Sequence, residues 1–147
     1  MNALANFAPI NFSLEGRNAL ITGAARGIGY AIAVALGQCG ARIAICDLDY
    51  AAAQRAAEQL GELGIHAFGI GGDVADEQQV DAMVGQVERA LGSIDILVNN
   101  AGIVSTAPLL EVSVAEWKRV MAIDLNSVFY CARAVLPGMM ARRSGRI

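Results

Sequence analysis

The sequence predicts an α/β domain built on a parallel β-sheet, and three observations carry that prediction. Short apolar runs alternate strictly with longer Ala- and Leu-rich segments of helical composition. Three of the four runs are nearly continuous in apolar character, as strands buried on both faces of a parallel sheet are. A glycine-rich turn joins the first run directly to the first helical segment. Strict alternation of strand and helix makes the sheet parallel and its crossovers right-handed.

The elements follow in order. Residues Met1 to Ser13 read as a surface arm, and the domain spans 14–147. Asn18-Ala19-Leu20-Ile21-Thr22 is the first strand. Gly27 to Cys39 is the first helix, with Ile28, Ile32, Ala35, Leu36 and Cys39 at helical spacing. Arg42 to Asp47 is the second strand, and Tyr50 to Leu63 a helix that stops at Gly64. Ala67 to Ile70 is the third and weakest strand, with Gly69, Gly71 and Gly72 in or beside it. Asp76 to Leu91 carries Val80, Met83, Val84 and Val87 on one stripe. Asp76 and Gln79 have the spacing of a capping box, and Gly92 closes the helix. Ile94 to Asn99 is the fourth strand. Ser113 opens the last long helix, with Glu116 completing a second capping box. That helix is expected to stop near Leu136, at Pro137-Gly138. Gly145-Arg146-Ile147 reads as the beginning of a fifth strand.

Composition bounds the function. A chain of 147 residues, 55% hydrophobic and 17% charged, forms one domain and excludes disorder. The net charge is −3, and apart from a cluster of Arg142, Arg143 and Arg146 no basic stretch suggests a nucleic-acid face, so no nucleic-acid partner is expected. No uncharged apolar run reaches the ~18 residues of a membrane span, so no membrane partner is expected. The N-terminus has no basic residue and no long apolar core, unlike a signal peptide. Cys39, Cys46 and Cys131 contain no C-x-x-C spacing and read as three buried thiols in a reducing, cytoplasmic compartment. His66, the sole histidine, reads as structural, and no metal-site spacing occurs. Trp117 and Phe129 read as core or subunit contacts.

The chemistry gathers at the strand ends. Thr22-Gly23-Ala24-Ala25-Arg26-Gly27-Ile28-Gly29 places glycines in a G-x-x-x-G-x-G spacing between strand and helix. Glycine allows the tight turn and close approach of backbone to ligand. The helix N-terminus then offers free N–H groups and a positive dipole end to a pyrophosphate. Asp47 ends the second strand 18 residues after Gly29. An acid about 20 residues past such a loop accepts hydrogen bonds from ribose hydroxyls and repels a 2′-phosphate, favouring NAD over NADP. The bland alternative is a solvated acid beside Asp49. Arg26 argues the other way, because it could pair with a 2′-phosphate. Asp73 could meet the adenine amino group or form a turn. Asn99-Asn100-Ala101-Gly102 ends the fourth strand, where two Asn side chains can tie neighbouring loops together.

Together these residues resemble the short-chain dehydrogenase/reductase family. Its T-G-x-x-x-G-[IL]-G motif matches Thr22 to Gly29, and its N-N-A-G matches Asn99 to Gly102. Its acid after strand 2 and its Asp-Val after strand 3 match Asp47 and Asp73-Val74. The resemblance implies a doubly wound, Rossmann-type sheet and hydride transfer between NAD(P)H and a small alcohol or carbonyl substrate. It implies cofactor contacts from Gly23, Arg26, Gly27, Ile28, Gly29, Asp47, Leu48, Asp73, Val74, Asn100, Ala101 and Gly102, with NAD preferred to NADP. It also implies a homo-oligomer, dimer or tetramer, through the 113–136 helix.

Two departures stand out. The family's catalytic Ser, Tyr and Lys lie beyond strand 5, and Tyr30, Tyr50 and Tyr130 are not followed four residues on by Lys. The chain is therefore expected to be truncated before that segment, binding a dinucleotide without completing the chemistry. The alternatives are a non-catalytic dinucleotide-binding module or sensor, and an oligomerisation piece with a vestigial site. Secondly, Asp124 stands where the family carries a catalytic Asn. It is expected in register with Trp117, Met121, Val128, Cys131 and Val135. A carboxylate on that stripe needs a hydrogen-bond donor or a wet site, and serves either a proton relay or a structural partner.

Overall fold

The computed structural model describes residues 12–147, so most of the expected 1–13 arm lies outside the described residues. Strand β1 (Asn18–Thr22) leads through helix α1 (Gly27–Gln38) to β2 (Arg42–Asp47) and α2 (Tyr50–Glu62). Then follow β3 (Ala67–Gly71), α3 (Glu77–Leu91) and β4 (Ile96–Val98). A 3₁₀ turn at Leu109–Glu111 precedes α4 (Val114–Met121), a π-helical turn (Ala122–Asn126) and α5 (Ser127–Arg142). The four strands are parallel in the order β3-β2-β1-β4. Arg146 adds a parallel bridge to Ile96, at the beginning of the expected fifth strand.

Each strand points alternate side chains to opposite faces, and both faces are apolar here. Ala19, Ile21, Ile43 and Ile45 pack with Ala33 of α1 and with Ala53, Ala56 and Leu60 of α2. Leu20, Ala44, Cys46 and Ile70 face Val80, Met83 and Val87 of α3 and Cys131, Val135 and Met139 of α5. This is the two-sided burial that the continuous apolar runs predict. Leu20 is fully buried at the centre of the second layer. Leu20→Ala is expected to cost about 3 kcal/mol of stability, read as a lower urea midpoint with an unchanged slope.

The glycines that make β3 look weak serve close packing. A Cβ at Gly69 would lie 2.6 Å from the Ala53 carbonyl oxygen, so glycine lets α2 lie directly against the strand. β4 is shorter than expected because its ends do other work. Asp95 takes the Asn18 backbone N–H at 3.0 Å and the Arg17 guanidinium at 3.2 Å. Asn100 turns out of the sheet toward β1.

Four expectations need correction. The long helix does not stop at Pro137 but continues to Arg142. Proline removes one hydrogen bond and crowds the preceding turn, yet two anchors lie beyond it. Met139 is buried in the core, and the Arg142 guanidinium donates to the Ile94 carbonyl at 2.9 Å. The helix ends instead at Arg143, which takes the left-handed conformation with φ 51°. Next, both capping boxes are half made. Asp76 accepts from the N–H groups of Gln78 and Gln79, and Ser113 from that of Glu116. The returning halves go elsewhere: Glu116 pairs with Arg119, and Gln79 bonds Asp73. Third, Cys39 is half-buried at the end of α1, whereas Cys46 and Cys131 are buried. Last, the stripe through Trp117 and Val135 is broken by the π turn, which adds a residue to the helical repeat. Cys131 and Val135 are buried, but Trp117 is 56% and Val128 39% exposed. Neither Trp117 nor Phe129 is core; the Arg133 guanidinium sits 5.5 Å from the centre of the exposed Phe129 ring.

By length and composition, Val114–Arg142 is apolar enough to cross a membrane. Its Cys131, Val135 and Met139 face packs into the core with α3.

Candidate functional site

The carboxyl ends of the strands surround a cleft of about 610 Å³. It opens where β1 and β4 lie side by side and their following segments diverge, the switch point at which such sheets bind ligands. All the expected cofactor residues except Gly29 line it. Gly23, Arg26, Gly27 and Ile28 come from the first turn, and Asp47 and Leu48 from the end of β2. Asp73 and Val74 follow β3, and Asn100, Ala101 and Gly102 follow β4.

The glycines have separate jobs. Gly23 has φ +61°, and a Cβ there would lie 2.8 Å from the Cα of Ala101. Gly29 is buried behind the loop. A Cβ on it would lie 2.5 Å from Asn100 Nδ2 and 2.8 Å from the Gly23 carbonyl oxygen. Gly27 has φ +62° with nothing within 4 Å of a built Cβ, so its surroundings are open. Arg26 occupies the N-cap of α1 in extended conformation, makes no side-chain cap, and the first turn holds no acid. The leading N–H groups and the positive dipole end of α1 therefore have no side-chain partner. That donor set suits a diphosphate.

A hydroxyl that the sequence reading did not single out joins the two loops. Thr22 Oγ1 accepts from the backbone N–H groups of Asn100 and Ala101, both at 3.1 Å, and donates to the Val98 carbonyl at 3.4 Å. Asn100 Nδ2 returns to the carbonyls of Thr22 at 2.9 Å and Gly23 at 3.0 Å. The expected tying of loops is made by Asn100 with Thr22. The sequence signal was there, because Thr22 opens the T-G-x-x-x-G-[IL]-G match, but it was given no role of its own.

Asp47 is half-buried and organises its surroundings. Its Oδ2 accepts from the Ala25 N–H at 3.1 Å and its Oδ1 from the Asp49 N–H at 3.2 Å. Asp49 is occupied separately in capping α2. Asp73 makes the expected turn, with Oδ1 accepting from the Ala75 N–H at 2.9 Å, and still lines the cleft. Cys46, Gly72, Ile103 and Ile123 complete the lining and were not among the expected site residues. Burial, helped by nearby Cys131 and Asp47, pushes the Cys46 thiol up to about 12. Burial alone pushes Cys131 up to about 11. Both act as neutral packing groups near pH 7.

Asp124 lies exposed in the π turn, not on a buried stripe. It does find a donor: Oδ1 accepts the Ile103 N–H at 2.9 Å, fastening the segment after β4 to the long helix. His66 is exposed, and its carbonyl accepts the Ile43 N–H at 2.9 Å. Among the described residues, no group of three or more His, Cys, Asp or Glu is placed to hold a metal ion.

Comparison with known proteins agrees with this geometry. The family described as short chain dehydrogenase matches residues 17–147. A 5-keto-D-gluconate 5-reductase of Escherichia coli K12 is 41% identical over 136 residues, covering 92% of this chain and 54% of the relative. A D-threitol dehydrogenase of Mycolicibacterium smegmatis is 44% identical over 138 residues, covering 93% and 53% respectively. A crystal structure assigned as a short-chain alcohol dehydrogenase of Sinorhizobium meliloti 1021 superposes with a TM-score of 0.81 at 36% identity. That match covers 85% of this chain and 50% of the other. The chain thus spans about half the length of the curated relatives it matches. The fold, the motifs and these relatives together place the chain in the short-chain dehydrogenase family.

Proposed function

We propose that this chain is the cofactor-binding part of an NAD(H)-dependent oxidoreductase moving hydride between nicotinamide and an alcohol or carbonyl substrate. The observation that carries the reading is the cleft itself, with an uncapped helix N-terminus beside glycine backbone and the Asp47 carboxylate bonded to the loop that leads into it. The diphosphate would rest on the N–H groups opening α1. Asp47 would accept from the adenosine ribose, and its charge disfavours a 2′-phosphate. Bound NAD supplies the hydride acceptor, and the residues described here bind and orient it. Substrate proton transfer needs a positioned acid/base. No Tyr-x-x-x-Lys occurs in these 147 residues, so they are proposed to bind dinucleotide without turnover on their own.

Relatives named for keto-gluconate reduction and threitol dehydrogenation make polyols and sugar acids the first substrates to screen. The test is the intact mass of the protein from its native source, followed by NADH formation with those alcohols. A larger protein that reduces NAD supports the reading. A protein of this size that binds NAD without turnover supports a sensor or binding module. The compartment is proposed to be the cytoplasm. The exposed apolar residues Trp117, Leu125, Phe129, Leu136 and Met140 on the long helix support a homo-oligomer formed through that face.

Asp124 is proposed as the relay candidate, within a limit set by its chemistry. An ionised carboxylate accepts hydrogen bonds but donates none. Asp124→Asn keeps an acceptor for Ile103 and is expected to hold NAD affinity within about twofold, whereas Asp124→Ala is expected to weaken it roughly tenfold. Calorimetric titration of both variants checks this.

A further inference from the structure

Gln79 departs from the local pattern in which it sits. It is the third residue of α3, after the N-cap Asp76, where a capping-box side chain would return to the N-cap backbone N–H. Here that N–H is already bonded to the Asp73 carbonyl at 3.1 Å. The Gln79 side chain reaches further, and its Oε1 accepts the backbone N–H of Asp73 at 3.1 Å. Its amide donates to Asp76 Oδ2 at 3.0 Å, which fixes which end of the amide faces Asp73. Asp73 is thereby held at three points: its N–H by Gln79, its carbonyl by Asp76, and its Oδ1 by the Ala75 N–H. Among the described residues Oδ2 has no hydrogen-bond partner, and Asp73 lines the cleft.

We infer that Gln79 is a positioning residue for ligand specificity: it fixes the Asp73 backbone so that the free carboxylate oxygen reads a purine 6-amino donor. The inference rests on the proposed reading of the cleft as a dinucleotide site. A carboxylate accepts from an amino group and repels a 6-oxo group at the same place. Gln79 does not touch the ligand; it limits where Asp73 can point. An exposed side chain with two directed bonds to backbone and carboxylate is not needed for the helix cap, which Asp76 makes alone.

The test uses the full-length protein and two ligands, NAD and its hypoxanthine analogue, which carries a 6-oxo group. Wild type is expected to prefer NAD by roughly tenfold. Gln79→Met, which keeps chain length but removes acceptor and donor, is expected to shrink that preference to about twofold. Affinity for the analogue should stay unchanged or rise slightly, because a loosened Asp73 loses the amino contact and relaxes its repulsion of the 6-oxo group. Equal losses on both ligands would make Gln79 a structural residue and overturn the inference. An unchanged preference would overturn it while leaving Asp73 as the reader. A wild type without preference would overturn both Asp73 and Gln79. No binding of either ligand would overturn the reading of the cleft. A measurement without substitution guards against misfolding: the Asp73 amide of the ligand-free wild type should exchange slowly with solvent, and fast exchange would contradict the clamp.

Discussion

Gly29→Ala is expected to unfold or severely destabilise the domain, by about 3 kcal/mol, and to abolish dinucleotide binding in whatever remains folded. The added methyl would meet Asn100 Nδ2 at 2.5 Å and, at 2.8 Å, both the Ala24 Cα and the Gly23 carbonyl oxygen. Two of those three neighbours are backbone and cannot swing away. The third is the amide that ties the loop after β4 to the loop after β1. Relief of the clash therefore breaks the junction on which the cleft depends. Gly27→Ala supplies the contrast. Nothing lies within 4 Å of its built Cβ, so the fold loses only the cost of a left-handed alanine, about 1 kcal/mol. Urea denaturation of the two variants separates packing from backbone conformation at two glycines of one motif. Equal losses would contradict the assignment of roles.

Asp47→Ala is expected to weaken NAD binding about tenfold and to remove the preference over NADP. Two effects are mixed in that variant. The carboxylate is proposed to hold the ribose, but it also accepts from the N–H groups of Ala25 and Asp49. Alanine leaves both N–H groups without their acceptor and loosens the phosphate loop. Asp47→Asn separates these effects, because one amide oxygen still accepts while the charge is gone. The Asn variant is expected to keep most of the loop and bind NADP more tightly than wild type does. Titrations of both variants with both dinucleotides measure it. An unchanged preference in the Asn variant would show that the charge of Asp47 does not select the cofactor.

How far the sequence could be read follows from the range of the interactions involved. Strand positions rest on local apolar runs such as Leu20-Ile21 and Ile43-Ala44-Ile45, and these emerge where expected. The cleft was legible because its glycines, Asp47 and Asn100 belong to short motifs fixed at strand ends. Thr22 was visible as the first residue of the glycine motif, but its bonding role was not, because a Thr ending an apolar run looks like an ordinary β-branched strand residue. Its importance comes from Asn100, far along the chain but adjacent across β1 and β4. Ile103 and Ile123 were hidden because a loop and a π turn bring them together. The stop at Pro137 failed because local chain preference was outweighed by the anchors of Met139 and Arg142. The Asp124 stripe failed because a straight-helix repeat does not foresee the inserted π turn.

The most direct test of the central claim is a calorimetric titration of the full-length protein with NAD and, separately, with NADP. Saturable binding at one site per chain is expected, with NAD favoured by about tenfold. Absence of binding, or tighter binding of NADP, would contradict it.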